Sequence, residues 1–174
     1  FTWKGNDFDV RTVCHPAQDM ISAHIDSHLH TGIKFHFPYP TGIHTDNACD
    51  WDANDKHSTE VLKQDTQSAV LKRTLDSTVY YVELKWEGKA LLKEKEKNYF
   101  VLLPQEDAFS FSCAFTANEP DQLAVLPDFF EVESLAKNHW VNFWEEGAAV
   151  DFSHCTDPRA KELERRVVLS QYLL

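Results

Sequence analysis

"FSFSCAF", residues 109–115, alternates Phe109, Phe111, Cys113 and Phe115 with Ser110, Ser112 and Ala114. A strand turns successive side chains to opposite faces, so this segment carries one bulky apolar face and one small, more polar face. The same period of two governs "YYVELKW" (80–86), where Tyr80, Val82, Leu84 and Trp86 oppose Tyr81, Glu83 and Lys85. "IKFHF" (33–37) sets Ile33, Phe35 and Phe37 against Lys34 and His36. "FTWKGNDFDV" (1–10) has Phe1 and Trp3 before a Gly5-Asn6 turn and Phe8 and Val10 after it, a hairpin pattern. Residues 20–26, 61–64, 68–75 and 99–103 also suit strands. Two-faced strands joined by short turns such as Glu87-Gly88 form antiparallel sheets. Residues 1–118 therefore predict a mainly β fold, an antiparallel β-sandwich of roughly eight or nine strands.

The pattern changes after Glu119. "PDQLAVLP" (120–127) is a linker with proline at both ends, and residues of about 128–146 take up a helical period. Leu135, His139 or Trp140, Phe143 and Trp144 fall near one face, and Gly147 suits the C-cap. The linker region runs over 119–156. Asp157-Pro158 then opens a second helix, an N-cap followed by proline at the first helical position. Ala160, Leu163, Val167, Ser170 and Leu174 line one stripe of it, while Val168, Leu169, Tyr172 and Leu173 spread apolar surface round the other sides. A helix apolar all round is normally buried on all sides. The expectation is that "LERRVVLSQYLL" (163–174) is the start of something larger, covered by residues beyond Leu174.

The chain of 174 residues is 43% hydrophobic and 13% aromatic, enough for one core. Its net charge of −11 repels a nucleic-acid backbone, which excludes that class of partner. "KEKEK" (93–97) reads as a solvated edge or turn, and no stretch approaches the roughly 18 apolar residues of a membrane span. Cys14, Cys49, Cys113 and Cys155 are widely spaced without a CxxC pair, so both two disulfides and free thiols stay open. There is no P-loop, no G-x-G-x-x-G and no G-x-S-x-G, and no cofactor is expected. Glu145, Glu146 and Asp151 suggest a carboxylate pair for glycoside hydrolysis, but neighbours on a helix do not face each other, and a solvated helix end explains them better.

The long polar segment "PYPTGIHTDNACDWDANDKHST" (38–59) interrupts the strands, and loops of that length usually carry function or are disordered. Asp50, Asp52 and Asn54 match the first oxygen positions of an EF-hand, but Asp55 stands where glycine is needed and Val61 where glutamate is needed. A zinc site could draw on His28, His30, His24, His44 and His57, provided that three converge in space; His24 and His36 look like ordinary exposed strand positions. The third reading is sugar contact. Trp51 offers an apolar face, flanked by Asp50 and Asp52, with Tyr39, His44, Asp46 and His57 nearby in sequence to exchange hydrogen bonds with hydroxyls. Against all three stands a solvated turn capped by its own aspartates.

His139-Trp140, Phe143-Trp144, Gly147-Ala148, the start at Asp157-Pro158-Arg159-Ala160 and "ELERRVVLSQY" (162–172) together resemble the linker of bacterial six-hairpin glycoside hydrolases. These (α/α)6-barrel enzymes are broadly similar to the family 65 phosphorylases and hydrolases. "FTWKG", "TVCHP" and "FPYPTG" fit the later strands of the galactose-mutarotase-like β-supersandwich that precedes the linker in them. The resemblance implies a scaffold of sandwich (1–118), linker (119–156) and first barrel helix (157–174). It implies a missing C-terminal α/α barrel that holds the general acid and its partner carboxylate, so no catalytic residue is expected here. It also implies a parent enzyme that hydrolyses glycosidic bonds, with carbohydrate as partner and the 38–59 loop reaching toward the substrate. Two other classes remain: a free-standing carbohydrate-binding β-sandwich, and a metal-dependent hydrolase with converging His and Asp ligands.

Overall fold

Phe109, Phe111 and Cys113 on the bulky side of β-strand 109–115 do become core, Phe115 at its end stays exposed, and the small side is buried as well. The computed structural model describes residues 1–29, 32–45, 47–123, 125–148 and 150–173, with the backbone alone at Ala148. His30, Asp46 and Leu174, each named above, lie outside the described residues. The strands are β1 (Thr2–Lys4), β2 (Phe8–Cys14), β3 (Met20–Ser27), β4 (Ile33–His36), β5 (Tyr39–Pro40), β6 (Cys49–Asp50), β7 (His57–Gln64), β8 (Ser68–Leu75), β9 (Thr78–Trp86), β10 (Ala90–Glu96), β11 (Tyr99–Pro104) and β12 (Ala108–Thr116). Helices α1 (Phe129–Phe143) and α2 (Ala160–Leu173) follow, with a π-helical turn at Trp144–Ala148 after α1.

The fold is mainly β and antiparallel throughout. One sheet runs β1-β2-β3-β12-β9-β8-β7, a second runs β10-β11-β4, and β5 pairs with β6. The period-two positions of the large sheet meet those of the small one. Phe109, Phe111 and Cys113, Val82, Leu84 and Trp86, and Ala69 and Leu71 pack with Leu92, Phe100 and Leu102. This is a β-sandwich, and burial of each large side chain contributes roughly 1.5–3 kcal/mol. Trp86 is 1% exposed and satisfies its indole N–H on the Thr66 carbonyl at 3.1 Å. The charged stretch 93–96 belongs to β10, an exposed edge strand whose lysines and glutamates discourage pairing with another chain.

The sequence reads the Ser110, Ser112 and Ala114 side of β12 as the more polar face. In the structure, Ser110, Ser112, Ala114 and Ser22 are all buried. The linker and the first turn of α1 cover them: Met20, Ala114, Leu126 and Val132 form a second small core. Small side chains let the linker backbone come close, and one hydroxyl and one lysine satisfy its carbonyls. Ser112 Oγ is hydrogen-bonded to Ser22 Oγ and to the Pro127 carbonyl, and Lys85 Nζ donates to the Leu126 carbonyl. Helix α1 begins with a reciprocal capping box, since Asp128 Oδ1 accepts the Glu131 N–H and Glu131 Oε2 accepts the Asp128 N–H, both at 2.9 Å.

The chain divides into two compact units, Phe1–Leu135 and Ala136–Leu174. Within the second, Gly147 adopts φ 111°, the left-handed conformation that ends the helical run as a C-cap glycine does. Asp157 Oδ1 accepts the Arg159 N–H at 2.8 Å and so caps α2 as its position in the sequence predicts. The Trp140 ring lies 5.0 Å from Tyr172 and 6.2 Å from Trp144. Leu163, Leu169, Tyr172 and Leu173 stay 45–71% exposed. No described helix is long and apolar enough to cross a membrane.

Candidate functional site

Loop 38–59 is less irregular than its composition suggests. Tyr39 pairs with Asp50 and Pro40 with Cys49, so β5 and β6 make a small hairpin within it, and His57 already belongs to β7. Both ends of the loop converge on one buried arginine of β8. Arg73 is 1% exposed; its Nη2 donates to the Pro38 carbonyl at 3.3 Å, and its Nη1 donates to His57 Nδ1 and Thr59 Oγ1, both at 2.7 Å. Phe37 and Tyr80 offer ring faces to the guanidinium at 4.9 and 6.0 Å. Asn98, wholly buried in the β10–β11 turn with φ 63°, accepts from Thr59 and donates to the Asn54 and His57 carbonyls. Asparagine tolerates this left-handed backbone better than most residues.

That frame sorts the candidate residues into three groups. His57 and Tyr39 are tied into the frame by hydrogen bonds. His57 is 5% exposed and its pKa is lowered, first by burial and then by Arg73, Lys97 and His36. Tyr39 donates its hydroxyl to the Asp76 carboxylate, which raises the phenol pKa, and its ring lies 5.9 Å from that of His57. Asp50 serves the turn itself, accepting the N–H groups of Asp52 and Ala53 on Oδ1 at 3.0 and 3.1 Å. Trp51, Asp52 and His44 are the outward-facing residues, Trp51 being 51% exposed. Asp46 lies outside the described residues.

Trp51 has neighbours that its local sequence does not supply. The His36 ring sits 4.7 Å from the indole and 5.1 Å from the ring of Tyr99, and Tyr99 is the cross-strand partner of His36 in the β11–β4 pair. Three rings therefore stand in a row along the outer side of the small sheet. Reading His36 and Tyr99 as a site required the pairing of β4 with β11, about sixty residues apart, which no local pattern encodes. His36 is an exposed strand position as predicted. His24 is not: its side chain is only 14% exposed and lies 5.5 and 5.4 Å from the rings of Phe129 and Phe130.

His24 also joins Ser110 and Asp26, with Nδ1 2.7 Å from Ser110 Oγ and Nε2 3.3 Å from Asp26 Oδ2. The residue types are those of a nucleophilic triad, but Ser110 is 4% exposed and the imidazole is covered by aromatic rings, so no substrate carbonyl reaches the hydroxyl. The set satisfies the buried Ser110 hydroxyl and the covered His24 ring, with Asp26 at the exposed end. Among the described residues no three His, Cys, Asp or Glu side chains converge as metal ligands, and Asp55 is held by Lys97 at 2.9 Å. Glu145 and Glu146 are exposed, and Asp151 Oδ1 accepts the Ser153 N–H. All four cysteines are free thiols, with Cys113 buried and the others exposed. What the site offers chemically is an exposed indole face on a fixed loop, beside polar side chains that exchange hydrogen bonds. No family model, no curated protein and no solved structure matches this chain.

Proposed function

We propose that the chain is the non-catalytic, N-terminal scaffold of a carbohydrate-active enzyme that hydrolyses glycosidic bonds, and that Trp51 stacks on a sugar ring of the substrate. The observation that carries this reading is the row Trp51–His36–Tyr99, half-open to solvent and held on a loop whose two ends are fixed by Arg73. A sugar ring presents C–H groups that pack on an indole face and hydroxyls that need donors and acceptors at its rim. A fixed aromatic loses little entropy on binding, and His36, Asp52 and His44 stand near it in space or sequence. Sandwich and helices in this order support a scaffold role, and the exposed Leu163, Leu169, Tyr172 and Leu173 support a helical partner domain that holds the catalytic carboxylates.

The test is a titration of isotope-labelled protein with a panel of neutral and acidic oligosaccharides at pH 7.5, followed by amide shifts. At least one oligosaccharide should shift the amides of residues 36, 51 and 99 together, and Trp51→Ala should weaken its binding by about tenfold, equivalent to roughly 1.4 kcal/mol. Binding that Trp51→Ala leaves unchanged, or a panel without any response, would sink the reading.

A further inference from the structure

We infer that residues 38–45 and 47–56 belong to a pH-gated loop, closed at neutral pH by the hydrogen bond from Arg73 to a neutral His57 and released in mild acid when that imidazole takes a proton. A guanidinium stays protonated wherever the protein is folded, so Arg73 Nη1 is the donor and His57 Nδ1 the acceptor across their 2.7 Å. An accepting Nδ1 belongs to a neutral ring with its proton on Nε2. A proton arriving on Nδ1 abolishes the acceptor and sets a second cation against the first, between residues 5% and 1% exposed.

The surroundings give that charge no relief. Among the described residues no carboxylate is within ion-pair distance of Arg73 or His57. From β8 comes Arg73 itself, and from β9 the Tyr80 hydroxyl, 3.4 Å from Arg73 Nε. The β10–β11 turn contributes Lys97, paired with Asp55, and the neutral Asn98. From β4 comes His36; from β5 comes Tyr39, whose hydroxyl occupies Asp76 and whose ring carries Lys56 Nζ at 5.3 Å. Lys97, His36 and burial all push His57 toward its neutral form, the same direction as Arg73.

The loop before β7 is tied to this cluster through two carbonyls, Pro38 on Arg73 and Asn54 on Asn98, so relieving the buried charge pulls on those two ties, whereas β7, β8 and β9 are kept by their own ladders. His57 binds a proton more readily in the open loop than in the closed one. The advantage of the closed form is therefore complete above the ordinary histidine value of about 6.5 and shrinks as pH falls toward the lowered value. In that window the open population rises by up to about tenfold per pH unit. The gate itself rests on this geometry alone; that it regulates sugar contact rests on the reading of Trp51 above.

Hydrogen exchange of the 174-residue chain from pH 7.5 to 5.0, corrected for intrinsic exchange, tests it. The 38–56 peptides should lose protection by up to about tenfold per unit below pH 6.5 while β8 and β9 peptides keep theirs. His57→Gln, whose amide oxygen accepts from Arg73 without titrating, should hold the loop closed across the range. Constant loop protection in the wild type, or the same pH dependence in His57→Gln, would overturn the gate. Should that variant not fold, imidazole nitrogen NMR of the wild type decides: a bare Nδ1 at pH 7 that gains its proton as the loop opens supports the gate, and a doubly protonated ring at pH 7 refutes it. Sugar titrations run at pH 7.5, with the loop closed, so their failure would leave the exchange result standing.

Discussion

Arg73 donates from Nη1 to Nδ1 of His57 at 2.7 Å, and the same nitrogen lies 2.7 Å from Thr59 Oγ1 and 3.4 Å from Asn98 Oδ1. His57 Nδ1 and the Pro38 carbonyl both take a guanidinium N–H, whereas Asn98 Oδ1 also accepts from Thr59 Oγ1 and so keeps a donor without Arg73. Arg73→Met fills similar space but leaves the His57 nitrogen and the Pro38 carbonyl without that donor, and each unsatisfied buried group costs roughly 1–3 kcal/mol. We expect a loss of about 3 kcal/mol in urea unfolding, within that summed range. Arg73→Lys keeps the charge but not the planar fork, and should recover less than half of the loss. A variant pair that unfolds with the wild type would show the cluster to be energetically idle.

The same face-and-partner logic applies where α1 meets the sheet. Phe129 is 1% exposed, with the Arg11 guanidinium 5.0 Å from its ring on one strand and His24 5.5 Å away on the next. Arg11 is further tied to Glu133 at 3.2 Å. Phe129→Ala should cost about 3–5 kcal/mol, as aromatic truncation in a core does. Phe130 is 52% exposed, so Phe130→Ala should cost distinctly less. Arg11→Met removes a partly exposed cation–π contact worth about 0.5–1 kcal/mol. Urea unfolding of the three variants checks the ranking; equal losses at Phe129 and Phe130 would contradict it.

These two clusters also mark where local pattern stops informing. Alternation in 80–86 and 109–115 encodes which side chains enter the core, because period two is a property of a single strand. Caps at Asp157 and Gly147 are similarly local, resting on hydrogen bonds and backbone angles within one turn. Burial of Ser110 and Ser112 is not local: it depends on a linker that returns over a face whose hydroxyls give no hint of being covered. Trp51 is visible as an unusual residue in a polar loop, whereas its neighbours His36 and Tyr99 need a sheet pairing to be known first. His57, grouped with Trp51 by sequence proximity, is separated from it by burial.

Cys113 gives a direct reading of the core. It lies on the bulky side of β12 at 3% exposure, and burial pushes its thiol up to about 12. The thiolate is the reactive species, so at pH 8 only about one Cys113 in ten thousand carries the needed charge, on top of the steric barrier. Cys14, Cys49 and Cys155 are exposed free thiols. A thiol reagent at pH 8 should therefore modify three cysteines quickly and leave Cys113 until the sandwich opens, after which the fourth reacts at the rate of unfolding or with the open population. Mass spectrometry of digested peptides identifies the protected site. Adding urea below the unfolding midpoint should accelerate Cys113 alone, because the other three need no opening. Modification of Cys113 in step with the exposed thiols under native conditions would mean that β12 does not occupy the centre of the large sheet.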